Sequence, residues 1–185
     1  MLRCLAGGGR LLQGLKQEII EIGIAEMDLQ TLEITREASY LVRPRRWEIS
    51  NRCTDLTGIT RDDIQAARPF PAILKLMTAD FSPSNALCCA WGNDAELIAS
   101  TCRIHGAKSP LRNCVDLAHL IHRLFLLEQQ ASLRDAVRML GMEFDGIPHS
   151  ALVDARNTAR IHAAVIRRLR REPDPPPVRE RNQSR

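Results

Sequence analysis

Asp94, His149 and Asp154 are the residues of this 185-residue chain whose types and settings suit chemistry on a polar substrate. Asp94 ends the run Trp91-Gly92-Asn93-Asp94 beyond a short apolar stretch. His149 opens the segment His149-Ser150-Ala151-Leu152-Val153-Asp154, so that Asp154 lies about one turn inside a long helical pattern. An imidazole that titrates near neutral pH can take a proton from water. A carboxylate is a hard oxygen ligand of the kind that holds Mg²⁺ or Mn²⁺. Each residue alone has an ordinary explanation, because acids favour the first turn of a helix and a histidine at a helix entrance is commonly solvated. Chemistry follows only if a fold brings the strand end and the last helix together.

The elements that must do so can be read from periodicity and capping. Residues 18–24 alternate apolar side chains with period two, and 32–42 do likewise, which predicts an antiparallel hairpin joined through 28–31. Pro44 ends the second strand. Thr60 with Asp63 resembles a capping box, and Pro71 opens an apolar-patterned helix to Phe81. Residues 86–91 suit a buried strand, after which Asn93 with Glu96 can cap a helix over 94–105, stopped by Gly106. A short strand over 112–117, a helix through Leu127 and a Ser132-capped helix over 133–140 follow. The last helix runs from near Ser150 to about Arg170, with Leu152, Ala155, Ala159, Ile166 and Leu169 predicted to form one buried stripe. This order predicts a single-domain α/β fold, a mixed sheet flanked by helices, and ligands in such sheets gather beyond the carboxyl ends of the strands.

Composition narrows the setting. Hydrophobic residues make up 44% of the chain and charged residues 26%, which is ordinary for a globular domain. No apolar run is long enough for a membrane-spanning helix, and no membrane partner is expected. Half of the formal charge of +4 comes from residues 170–185, where five Arg face three acids, so overall charge carries little information about nucleic acid. The six cysteines show no C-x-x-C pair, which argues against structural zinc, and Cys88 and Cys89 read as buried thiols, which favours a reducing setting. The acid-free first 17 residues, with Arg3, Arg10 and Lys16, faintly resemble a mitochondrial transit peptide, but Gly7, Gly8 and Gly9 would weaken an amphipathic helix, and a cytoplasmic setting is expected. Arg43, Arg45, Arg46 and Trp47 offer phosphate contacts and a base-stacking ring, although a basic turn after a strand is usually just solvated. His105, His119, His122 and His162 read as structural, and Phe70 and Phe144 as core or loop anchors.

Five segments carry a family resemblance: QEIIEIG at 17–23, VRPRR at 42–46, TDLTGITRDDI at 54–64, CAWGND at 89–94 and PHSALVDARNTARI at 148–161. In this order they resemble the DEDDh 3′→5′ exonucleases, in the branch that contains KinA-pathway inhibitor proteins and histone-mRNA 3′ exonucleases. The resemblance implies a ribonuclease H-like fold and hydrolysis of phosphodiester bonds at single-stranded RNA or DNA 3′ ends, RNA favoured. It implies two divalent ions, Mg²⁺ or Mn²⁺, held by four carboxylates. Asp94 and Asp154 would be two of these metal ligands, and His149 would be the base that deprotonates the attacking water.

The family's Asp-x-Glu pair has no counterpart here. Counting back from Gln17 lands on Met1, Leu2 and Arg3, and residues 1–14 contain no acid. Glu18 and Glu21 are the nearest carboxylates, but they match the family's next strand. Each missing carboxylate removes roughly 4 kcal/mol of attraction for a unit charge ~4 Å away at an effective dielectric near ~20. The sequence therefore predicts an exonuclease-like domain over 15–170, an atypical segment over 1–14 in place of the first motif strand, and a disordered Pro/Arg tail over 171–185. Gly7, Gly8 and Gly9 are poor strand formers. Impaired hydrolysis is expected, and the alternative is an inactive exonuclease fold that binds nucleic acid or a protein partner.

Overall fold

Strand β1 (Leu2–Gly8) lies inside the sheet, where the glycine-rich start of the chain led us to expect a weak element. The computed structural model describes residues 1–8, 18–45, 49–82 and 86–171. Gly9 to Gly14, Arg46, Trp47 and the tail from 172 onward therefore lie outside the described residues. β1 pairs antiparallel with β2 (Glu21–Met27) and parallel with β5 (Leu87–Ala90). The β5 ladder covers Leu2–Leu5, where Leu2 and Cys4 are buried, and the β2 ladder continues through Gly7 and Gly8 despite their low strand propensity.

β2 also pairs antiparallel with β3 (Ile34–Arg43), which is the expected hairpin shifted by a few residues. Its connection is an Asx turn, in which Asp28 Oδ1 accepts from the Gln30 and Thr31 N–H groups at 2.6 and 3.1 Å. Two parallel partners complete the sheet. The two-residue β4 (Arg68–Pro69) lies beside β3, and β6 (Cys114–Asp116) lies beside β5, giving the order β4-β3-β2-β1-β5-β6. The expected mixed sheet flanked by helices is thus present.

One face of the sheet carries α7 (Ala151–Arg171). Its Ala151, Ala155, Ala159 and Ala163 pack against Leu2, Cys4, Ala25, Met27 and Cys89, and this small-residue stripe lets the helix lie close to the strands. Leu169 is an exception to the predicted stripe. It is 61% exposed, because the helix runs on past the hydrophobic contact. On the opposite face, Ile22, Ile24, Val42 and Cys88 pack against α3 (Phe70–Phe81) and α4 (Asp94–Ile104). The remaining helices are α1 (Asn51–Thr57), α2 (Arg61–Ala66), α5 (Leu117–Leu124) and α6 (Leu133–Met139). Among the described residues, no helix is long and apolar enough to cross a membrane.

Local chemistry sets the helix ends. Thr60 and Asp63 form the predicted capping box on α2, and Ser132 accepts from the Asp135 N–H at the start of α6. Thr60→Ala should lower stability by about 1 kcal/mol in a denaturant titration, and a change under a few tenths would contradict the cap. Asn93 does not cap α4, contrary to expectation. Its backbone is not extended, so its side chain makes no cap hydrogen bond.

The cysteines are free thiols. Cys4 Sγ lies 2.9 Å from Cys89 Sγ in the interior, and this hydrogen bond, together with burial, raises Cys89 well above the ordinary thiol range. Inert buried thiols are what the sequence led us to expect at 88 and 89. Arg3 points to the face opposite α7, where its Nε donates to Glu26 Oε2 at 2.7 Å, so it brings no positive charge toward the helix.

Candidate active site

The amino end of α7 is seated on β2 by a close approach and a buried carboxylate. Gly23 makes the approach possible: a Cβ there would lie 2.2 Å from the Ala151 carbonyl carbon and oxygen. Two residues earlier on the same face, Glu21 is 7% exposed at the start of a strand whose residues are all buried. Both of its oxygens are used. Oε2 accepts from the Ala151 N–H at 2.7 Å and Oε1 accepts from the Ser39 hydroxyl at 2.7 Å. A carboxylate against the first amide of a 21-residue helix satisfies an orphan donor and the positive end of the dipole together. The sequence placed Glu21 near the site only as a weak stand-in for the missing acids. The structure makes it the seat of α7. The signal was an acid in the middle of an isoleucine-rich run, a position that needs partners.

His149 and Asp154 come together on that seat. His149 is exposed and left-handed, with φ of 74°. Asp154 lies in the first turn of α7, where burial pushes its carboxyl up to about 6. The His149 charge and a backbone hydrogen bond from His149 oppose that rise, and the Glu21 charge adds to it. Asn157, one turn further along, is fully buried and reaches back to Asp145.

Asp94 belongs to the other side of the same sheet end. It is half-buried in the first turn of α4, beyond β5, and its charge reaches Cys114 on β6. Burial, neighbouring thiols and the Asp116 and Asp94 charges push that thiol up to about 12. Asp116, which sequence reasoning passed over, shapes this turn: its Oδ1 accepts from the Gly92 N–H at 3.0 Å and from the His119 N–H at 3.1 Å. Asp154, His149 and Glu21 thus form one group, while Asp94 is carried by a separate element at the carboxyl end of β5.

Asp154 gives the fold a pH dependence of unusual sign. Its folded value of about 6 exceeds the ordinary 3.8, so the folded chain keeps this proton longer than the unfolded chain does. The contribution of Asp154 to stability is full below about pH 4 and is lost as pH rises through the interval to about 6. Asp154→Asn should therefore raise stability by about 2 kcal/mol at pH 7 to 8 and change little near pH 4. Denaturant titrations at the two pH values check this, and an equal effect at both would contradict it.

Comparison with known proteins identifies the lineage. Residues 11–162 match the exonuclease family RNase_T. The chain belongs to this exonuclease family. It is 28% identical over 162 residues to mouse (Mus musculus) 3'-5' exoribonuclease 1, covering 80% of this chain and 47% of that protein. It is 30% identical over 168 residues to ERI1 exoribonuclease 2 of Danio rerio, covering 77% of this chain and 30% of that protein. The chain thus spans about half or less of the length of these relatives. Among solved structures, the nuclease domain of 3'hExo, a DEDDh family member bound to rAMP, superposes with a TM-score of 0.82 at 24% identity, covering 90% of this chain and 92% of that one. Exonuclease X with 5' overhanging duplex DNA gives 0.65 at 19% identity, covering 91% and 92%. These likenesses establish the ribonuclease H-like exonuclease fold.

DEDDh exonucleases generally use divalent metal ions. The donor set described here does not fit a two-ion centre. β1 contributes no acid over Leu2–Gly8, both Glu21 oxygens are engaged by α7 and Ser39, and no group of three or more His, Cys, Asp or Glu among the described residues could hold a metal ion. At the end of β1 level with Glu21 and Gly23, the residues in register are Gly8 and Ala6.

Proposed function

We propose that this exonuclease domain engages single-stranded nucleic acid at its 3′ end, RNA in preference to DNA, and hydrolyses the terminal phosphodiester bond at a strongly reduced rate. The observation that carries the reading is the pairing of His149 with a desolvated Asp154 at the seated end of α7. His149 is exposed at the mouth and is assigned as the base that takes the proton of the attacking water. Asp94 and Asp154 are assigned as the carboxylates that would hold Mg²⁺ or Mn²⁺. No further carboxylates among the described residues would hold a second ion, so the charge neutralisation that a two-ion centre supplies would be incomplete. Support for the substrate class comes from the relatives named as exoribonucleases, and from a related 3'-exonuclease structure that describes 3'-end specific recognition of histone mRNA stem-loop. The six free thiols fit the reducing, cytoplasmic setting that we assign.

Incubating excess protein with 5′-labelled single-stranded RNA in Mn²⁺ should give slow shortening from the 3′ end. The same sequence as DNA should shorten more slowly, and a chelator should stop both. The absence of carboxylates on β1 favours a second reading, an inactive fold that binds nucleic acid or a protein. Retained 3′-end binding without any shortening would select it, and neither binding nor shortening would end the proposal.

A further inference from the structure

The segment from Asp145 to Ala151, which carries His149, has neither helix nor strand structure until α7 begins. It passes through two left-handed residues, Gly146 at φ 95° and His149 at φ 74°. The second is disfavoured for any residue with a Cβ. A segment of this kind keeps one conformation only if groups outside it impose that conformation.

Asp154 takes a backbone hydrogen bond from His149 within the segment, and two further side chains fix its ends, one at each. At the Asp145 end, the Asn157 amide is saturated. Its Oδ1 accepts from the Asp145 N–H at 3.1 Å and from Arg160 Nη1 at 2.8 Å, while its Nδ2 donates to the Asp145 and Val153 carbonyls, both at 2.9 Å. Arg160 Nη1 also donates to the Glu143 carbonyl at 2.9 Å, which holds the chain just before the segment. At the Ala151 end, Glu21 takes the first helical N–H and is itself oriented by Ser39. No other side chain reproduces the Asn157 arrangement: aspartate lacks the two donors, leucine lacks donors and acceptors, and glutamine carries its amide one methylene too far.

We infer that Asn157 and Glu21 are positioning residues that hold the His149 segment at both ends and so set the imidazole at the mouth. The inference rests on the reading of His149 as the base. It assigns to the two residues no contact with the substrate. Their effect is on the placement of another group, and a misplacement of about 1 Å can slow a reaction by about a hundredfold.

The test pairs amide hydrogen exchange with turnover in the full chain. Asn157→Ala should speed exchange across residues 143–151 by about tenfold or more while β2 and β3 keep their protection. It should also lower the turnover of 5′-labelled RNA by about tenfold or more at an unchanged KM. Glu21→Gln, which keeps an oxygen for the Ala151 N–H, should retain most of the turnover, and Glu21→Leu should not. If Asn157→Ala also loses protection in β2 and β3, the Gln and Leu variants at 21 decide the matter from the other end. Unchanged exchange over 143–151 in Asn157→Ala, or wild-type turnover in Glu21→Leu, overturns the inference. A wild-type chain that neither shortens nor binds the RNA instead overturns the function assigned to the mouth, whatever the exchange shows.

Discussion

His149→Ala should slow the metal-dependent shortening of 5′-labelled RNA by about 10² to 10⁴-fold under single-turnover conditions, the range that a positioned general base contributes. RNA affinity should change little, because the exposed imidazole is assigned to proton transfer. The side chain sits where its charge and its backbone both bear on Asp154, so its removal also takes away an influence that favours the ionised carboxyl. A solvated helix-entrance histidine with no part in the chemistry would leave the rate unchanged. Single-turnover kinetics with the binding step measured separately distinguish these outcomes. The loss must be read in the rate rather than the affinity, because a weakened domain can lose binding for many reasons.

Gly23→Ala should be the most damaging small substitution in the described part of the fold. The added methyl would meet the Ala151 carbonyl carbon and oxygen at 2.2 Å and the Leu152 nitrogen at 2.3 Å. These are backbone atoms, so no side-chain rotation relieves the clash. The amino end of α7 must lift, which stretches the Glu21 hydrogen bond to Ala151 and opens the packing of Ala151 against Ala25 and Cys89. Overpacking usually costs 1 to 3 kcal/mol where side chains can give, so about 3 kcal/mol or more is expected here. For a chain of this size that corresponds to a fall in Tm of about 6 to 12 °C. Thermal melts followed by circular dichroism check it. A fall of under about 2 °C would mean that α7 does not rest on β2 as described.

Much of the architecture was legible because its signals are local. Period-two alternation marked β2 and β3, the Thr60–Asp63 and Ser132 caps marked α2 and α6, and a compact apolar run marked β5. The elements that were missed or undervalued have physical causes. α1 has only seven residues, with Cys53 alone buried, so it shows no periodic face. β4 has two residues, of which Pro69 reads as a break. β1 looked weak because Gly7 and Gly8 have low strand propensity, and its stability comes from neighbours that are distant in sequence. At the site, His149 and Asp154 could be paired from spacing, since a single turn joins them. The roles of Glu21 and Asn157 could not. The Glu21–Ala151 hydrogen bond joins residues 130 positions apart, and it exists only because Gly23 lets two backbones approach. Asn157 read as part of a motif, and its work on the preceding loop appears only once α7 is folded.

The placement of Asp94 and Asp154 on separate elements at one end of the sheet is the point most open to direct measurement. Titrating Mn²⁺ into the wild-type chain by calorimetry, and into Asp94→Asn and Asp154→Asn separately, should show one weakly bound ion per chain that disappears in either variant. Binding that survives either substitution would contradict a shared mouth, and two ions per chain would contradict the incomplete donor set on which the expected slow hydrolysis depends.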